Sequence, residues 1–287
     1  MRPGQSSKTA AYVAFLRALG DRGFTSAEGF SDPIARALLP PRWARALAWV
    51  APILGMLPRA LRALVLGRID LLVVRSLAVD AEVTAALAPG VSQLVVLGAG
   101  FDSRAHRMTA LGGVHVFEVD HPATQASKRL RAARLPRTCR AITYVGCDFE
   151  KDVLGERLQA AGHRADLPTI WTWEGVTLYL HDEAIHQTLR AISASSAEKR
   201  RLVFEYHDAE ARAVDPYYAF VRKFLLAFWS EPHIGARSQR TMHAELNAAG
   251  LHLERDFVLT EWGTTFARSA PSPMKGARIA VAVRRRI

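Results

Sequence analysis

Apolar positions across the first ninety residues recur at helical spacing. Tyr12, Phe15, Leu16 and Leu19 fall on one face of a predicted helix, and Gly20 supplies a stop. A second periodic run, from about Ile69 to Leu87, ends at the breaker pair Pro89-Gly90. The texture then changes to short apolar runs at 93–97, 114–119, 142–145, 169–173 and 202–206. Amphipathic patterns beginning near Asp102, Ala123, Val153 and Glu183 alternate with them. Strand–helix alternation at this period predicts right-handed crossovers and a parallel sheet buried on both faces. Helical patterns follow at 216–229 and 240–249, and then two apolar runs, 251–258 and 279–283, spaced as an antiparallel hairpin at one sheet edge. The expected organisation is one α/β core over 91–287, a helical cap over 1–90, and a helical lid inserted at about 209–250.

Composition narrows the class. The 287 residues are long enough to bury a sizeable core. The most apolar run, 46–57, contains Pro52 and Gly55 and falls well short of the roughly 20 residues a bilayer span needs. The opening MRPGQSSKTA lacks the apolar core of a signal peptide, so a cytoplasmic protein is expected. Cys139 and Cys147 are too few for a disulfide framework or a closed zinc site, and no metal is expected. The net charge of +11 raises a nucleic-acid reading, but only six of the 38 basic residues are lysine. The arginines are scattered over most predicted helices instead of forming one stripe, so no stable nucleic-acid partner is expected. The pattern specifies no oligomer.

Candidate chemistry gathers at the predicted strand ends. In VVLGAGFDSR, Gly98 can take backbone angles closed to other residues, and Gly100 lets the main chain approach a ligand. A dinucleotide turn would read G-x-G-x-x-G; here Ser103 stands at the third glycine and Asp102 lies within the turn. A carboxylate there repels a pyrophosphate and suits the cationic end of an amino-acid-like ligand. S-adenosylmethionine is therefore favoured over NAD(P), and a nicotinamide-dependent oxidoreductase stays as the alternative of another class. In VFEVDHP, Glu118 and Asp120 point the same way from the second strand, about where a carboxylate accepts ribose hydroxyls. Glu118 reads equally well as a charged strand end. Asp148, with Phe149 beside it, reads as an acceptor for an adenine amine or as a helix cap. Glu174 closes the fourth strand between Trp173 and Gly175.

With those stretches in view, the chain resembles the leucine carboxyl methyltransferase family of class I S-adenosylmethionine-dependent methyltransferases, and its bacterial and mycobacterial branch in particular. The resemblance rests on the run from Gly98 to Arg104, Glu118-Val119-Asp120-His121-Pro122, Asp148-Phe149, Glu174-Gly175-Val176 and Tyr179-Leu180. Ser31-Asp32-Pro33, Arg75, 229–232 and Glu261-Trp262 extend it over roughly residues 8–283. It implies a Rossmann-like, seven-stranded sheet with an antiparallel last strand and helices on both faces. It also implies that Arg75 pairs with the cofactor's carboxylate, Gly98 contacts its methionine part, Asp120 holds the ribose, Asp148 and Phe149 hold the adenine, and Glu174 forms the pocket wall near the amino group. Gly100, Asp102, Arg104 and Glu118 are further candidate cofactor contacts. Where family members more often have Asp-Leu, this chain has Asp148-Phe149, and the family's first lysine contact is not carried onto Lys8.

Methyl transfer from a sulfonium is a displacement that requires alignment and exclusion of water. A carboxylate acceptor needs no general base, whereas a hydroxyl does. His207, oriented by Asp208 and flanked by Tyr206, is the candidate base, with a surface histidine as the alternative reading. His121 and His181 are expected to shape turns. Trp43, Trp49 and Trp229 either line an apolar acceptor pocket or pack helices. Family members methylate protein C-terminal carboxylates, a modified tRNA base and small molecules. The expectation here is O-methylation of a small metabolite, since the chain shows no additional domain for a macromolecular partner.

Overall fold

The structure is a computed structural model that describes residues 6–194, 201–214, 233–266 and 276–284. The expected helix at 216–229, Trp229 and the 229–232 motif lie outside the described residues.

Four helices open the chain: α1 (Lys8–Asp21), α2 (Pro33–Leu38), α3 (Pro41–Met56) and α4 (Arg59–Ala86). Ser7 and Asp32 begin α1 and α2 as side-chain caps, accepting from the backbone N–H groups of Ala10 and Ala35. The α/β part then runs β1 (Gln93–Leu97), α5 (Arg104–Arg107), β2 (His115–Asp120), α6 (Pro122–Ala132), β3 (Ala141–Gly146), α7 (Leu154–Ala160), β4 (Thr169–Trp173), α8 (Asp182–Ala194) and β5 (Arg201–His207). It finishes with α9 (Ala209–Ala213), α10 (Gln239–Ala248), β6 (Leu251–Val258), α11 (Leu259–Phe266) and β7 (Ala277–Arg284).

The seven strands lie in the order β3-β2-β1-β4-β5-β7-β6. Strands β1 to β5 are mutually parallel, and β7 is antiparallel to both β5 and β6. The late pair is thus antiparallel, as its spacing suggests, with β7 inserted between β5 and β6 so that β6 forms the edge.

Alternation along each strand sends successive side chains to opposite faces. Leu94, Val96, Val116, Val203 and Ile279 join one core with buried residues of α1 to α4, among them Leu19, Leu38, Leu47 and Val79. Val95, Leu97, Phe117, Trp171, Trp173, Phe204 and Tyr206 join the other, under Leu158 of α7, Ile185 and Leu189 of α8, and Leu246 of α10. The leading helices therefore form a layer against the sheet together with Ala105 of α5, Ala132 of α6 and Leu259 of α11. Trp43 packs in that layer on Phe15 and Tyr12, with ring centroids 5.5 and 6.2 Å away, whereas Trp49 is exposed. Chain order reverses between β1 and β4, which are neighbours, while β2 lies on the far side of β1. In such sheets the crevice beyond the strand ends at the reversal receives ligands.

Candidate functional site

A cavity of about 620 Å³ occupies that crevice. Its floor is the turn after β1. Gly98 has φ +65° and Gly100 φ +46°, both left-handed. A Cβ on Gly98 would stand 1.9 Å from Val176 Cγ2, and one on Gly100 would stand 2.9 Å from Ala10 Cβ. The glycines thus let the β4 tip and α1 close on the turn, and α1 lines the cavity with Thr9, Ala10 and Val13 and with its cap Ser7.

The next strand tips add the acids. Asp120 accepts from the N–H of Gly100 through Oδ2 and from the N–H of His121 through Oδ1, both at 2.6 Å. Burial pushes its carboxyl up, opposed by those two amides. Beyond β3, Cys147, Asp148 and Phe149 line the same cavity; Asp148 accepts from the N–H of Glu150 at 3.2 Å and lies 3.5 Å from Lys151 Nζ. Burial raises the Cys147 thiol to about 12, so it is a neutral wall and no nucleophile at ordinary pH.

The opposite end is built from paired charges. Arg75 donates through Nε to Glu174 Oε1 at 2.8 Å and through Nη1 to Glu205 Oε2 at 3.0 Å; none of these bonds uses Nη2. Arg104 donates through Nε to Asp80, through Nη1 to Asp102 and through Nη2 to Glu174. Although burial opposes ionisation of Asp102, Arg104, Lys128 and Arg17 outweigh it and hold the carboxyl far below its usual range. Burial likewise raises Glu205, but Arg75, His207 and the Gly175 N–H bring it down to about 2. Each guanidinium at this end has carboxylates against it.

Arg75, Gly98, Gly100, Asp102, Arg104, Asp120, Asp148, Phe149 and Glu174, all expected from the sequence, line one cavity. Several expected assignments need correction. Glu118 does share the face of Asp120, but two residues back along a strand is roughly 7 Å. At that depth it is fully buried and paired with Lys128 Nζ at 2.6 Å, outside the cavity lining. Burial, opposed by Lys128, sets its carboxyl to about 7. Tyr206 points to the other face of β5, where its hydroxyl donates to Asp256 Oδ2 at 2.6 Å inside the second core. His207 is buried with Nε2 3.4 Å from Glu205 Oε1 and is not part of the lining. Asp208 does not orient it; that side chain caps α9 and accepts from Gln239. Arg104 lines the cavity, yet its three donor nitrogens are all committed to carboxylates of the chain. His121 caps α6, and His181 pairs with Glu150.

Glu205 and Asp80 were not legible as site residues in the sequence, and Tyr179, which lines the cavity, entered only among the residues that carry the resemblance. For Glu205 the signal exists: it stands two residues before His207 on one face of a strand that ends beside Glu174. Asp80 lies mid-helix with nothing local to mark it.

A seven-stranded sheet of this order, with acid-bearing strand tips around a glycine turn, defines the class I methyltransferase fold. Two solved structures share it: a DUF574 family protein from Streptomyces avermitilis (TM-score 0.59, 16% identity, 98% of each chain) and a methyltransferase-like protein from Thermobifida fusca (TM-score 0.58, 14% identity, 99% of this chain and 97% of that one). The family model for leucine carboxyl methyltransferase matches residues 10–193. A protein of Streptomyces coelicolor carrying the name "Putative S-adenosyl-L-methionine-dependent methyltransferase" is 37% identical over 206 residues, 70% of this chain and 69% of its own. One of Streptomyces avermitilis with the same description is 41% identical over 133 residues, 46% of each chain. The chain belongs to the leucine carboxyl methyltransferase family, a family of S-adenosylmethionine-dependent methyltransferases. That membership sets aside the nicotinamide reading of the glycine turn. No helix among the described residues is long and apolar enough to cross a membrane, and none of their side chains cluster as a metal site.

Proposed function

We propose that the cavity binds S-adenosylmethionine and that the protein methylates an oxygen of a small-molecule acceptor, a carboxylate in preference to a hydroxyl. The carrying observation is the convergence of four strand ends, bearing Gly98, Asp120, Asp148 and Glu174, on one crevice. The donor set suits the cofactor along its length. Arg75 Nη2 is available to a carboxylate, and Glu174 offers an acceptor to an ammonium group. Asp120 meets ribose hydroxyls, while Asp148 accepts an exocyclic amine with Phe149 against the ring face.

When bound, S-adenosylmethionine supplies a methyl group on a sulfonium that an acceptor oxygen displaces. The chain's part is to hold the two in line and keep water out, which α1 assists by covering the glycine turn. The carboxylate preference follows from the imidazoles. His207 faces Glu205, and His121, the histidine among the described lining residues, is committed as a helix cap. An acceptor that arrives ionised needs neither. A protein C-terminal carboxylate or a modified tRNA base is the alternative acceptor, and the small-molecule choice rests on the modest, partly enclosed volume of the cleft.

Titration calorimetry with S-adenosylhomocysteine tests the site. Asp120→Asn is expected to weaken binding at least about tenfold, the scale of one lost hydrogen bond to a charged group. Unchanged affinity would remove Asp120 from the ribose position. Label from methyl-tritiated cofactor, offered to a fractionated extract, is expected in the low-molecular-weight fraction. Label confined to protein or tRNA would overturn the small-molecule assignment.

A further inference from the structure

The segment between Asp32 and Asp70 is one-sided in charge. From Pro33 to Ile69 it carries Arg36, Arg42, Arg45, Arg59, Arg62 and Arg68 and no acidic residue. The same segment displays large apolar side chains to solvent: Trp49 is 75% exposed, Ile53 56% and Met56 85% on α3, and Leu61 52% at the start of α4. Leu47, Ala51 and Leu54 already bury the opposite face of α3 in the core, so this display is not an incomplete inner face.

Helical spacing orders the exposed stripe. Arg42, Arg45, Trp49, Ile53 and Met56 step by three or four residues and share one side of α3. Its first two turns are basic and its last two apolar. The corner into α4 is held by Arg62, whose Nη2 donates to the carbonyls of Gly55 at 2.7 Å and Leu57 at 3.2 Å. Met56 and Leu61 therefore stand at one fixed bend.

An apolar patch of this kind on a soluble surface marks a contact with something. A second copy is disfavoured by charge, since each partner would bring the same acid-free arginine segment and a net charge of +11. An anionic bilayer surface suits both halves of the stripe. Tryptophan and aliphatic side chains settle at the headgroup–acyl boundary, and arginines face the phosphates. The geometry points to the α3–α4 corner as a peripheral docking surface for anionic lipid, with Trp49, Ile53, Met56 and Leu61 entering the interface and Arg42 and Arg45 beside the headgroups. Docking here leaves the cofactor cavity untouched, because none of these six residues lines it.

The test is cosedimentation of the full chain with phosphatidylcholine vesicles, with and without phosphatidylglycerol. Binding is expected to be at least about tenfold stronger with phosphatidylglycerol and to fall as salt screens the arginines. Ile53→Ser/Met56→Ser should abolish it with no drop in melting temperature, and Arg42→Glu/Arg45→Glu should remove the preference for anionic lipid. In the wild type, vesicles should shift tryptophan emission to the blue, and Trp49→Phe should lose that shift. Equal binding to both vesicle types, undiminished binding by the serine variant, or no vesicle binding together with a dimer that the serine variant dissociates would each overturn the proposal.

Discussion

Gly98 lets two strand tips meet. Its φ of +65° is strained for any other residue, and the Cβ it lacks would lie 1.9 Å from Val176 Cγ2. Gly98→Ala is therefore expected to lose about 2–3 kcal/mol in urea unfolding, from the left-handed conformation and the overlap together. Adding Val176→Ala should restore only the overlap share; full recovery would mean the backbone angle costs nothing. Glu205 works through charge. Its carboxyl sits at about 2 in the folded chain against 4.5 for the ordinary group. The unfolded chain therefore takes up the proton first as pH falls. The stabilisation is complete above about pH 4.5 and is lost on the way down to about 2, about 3–4 kcal/mol in all at roughly 1.4 per unit. Glu205→Gln should flatten that acid limb of the stability curve and weaken S-adenosylhomocysteine binding by leaving Arg75 one partner short. An acid limb of unchanged slope would show that Glu205 is not the group being titrated.

At the scale of an element, β5 separates a site face from a core face. Glu205 and His207 turn toward Arg75, while Tyr206 between them donates to Asp256, which Arg278 and His243 also hold. Tyr206→Phe is expected to cost about 1 kcal/mol of stability and leave methyl transfer unchanged; a large fall in kcat at unaltered stability would return the tyrosine to the reaction. The strand itself was legible, as were β1, β4 and β6, whose bounds match the apolar runs residue for residue. A sheet covered on both faces leaves continuous apolar runs that end where the backbone turns. The face each polar end residue takes was less legible, because alternation fixes relative direction but not depth. Glu118 and Asp120 show this: same side, one against Lys128 and one at the cavity. The pattern expected to begin near Asp102 likewise resolves only in three dimensions: Asp102 accepts from the Arg104 N–H and its guanidinium, and α5 runs from Arg104 to Arg107.

Across the whole molecule, one series of paired charges runs from the first helix to the fifth strand. Arg17 meets Asp32 at 3.0 Å, Asp32 faces Arg107 at 3.7 Å, and Arg107 and Arg104 share Asp80 at 2.7 and 2.6 Å. Arg104 and Arg75 then share Glu174, each at 2.8 Å, and Arg75 ends on Glu205. Its members come from α1, the cap of α2, α4, α5 and the ends of β4 and β5. No local window of sequence contains the pattern, which is why Arg75 and Arg104 entered through a family resemblance and Asp80 did not enter at all. Such a series ties the helical layer to the strand tips, so the shape of the cavity depends on a residue outside it. Asp80→Asn leaves two buried guanidinium groups short of a carboxylate, and removing one partner of a buried pair costs about 3–5 kcal/mol. It is expected to destabilise on that scale and also to weaken S-adenosylhomocysteine binding, although Asp80 does not line the cavity. Glu174→Gln removes a second of the three acids on Arg104. If the series acts as one unit, the double variant departs from the sum of the two singles by about 0.5–3 kcal/mol in unfolding free energy. Additive effects, with ligand affinity following Glu174 alone, would reduce the series to separate pairs and free the cofactor end from the helical layer.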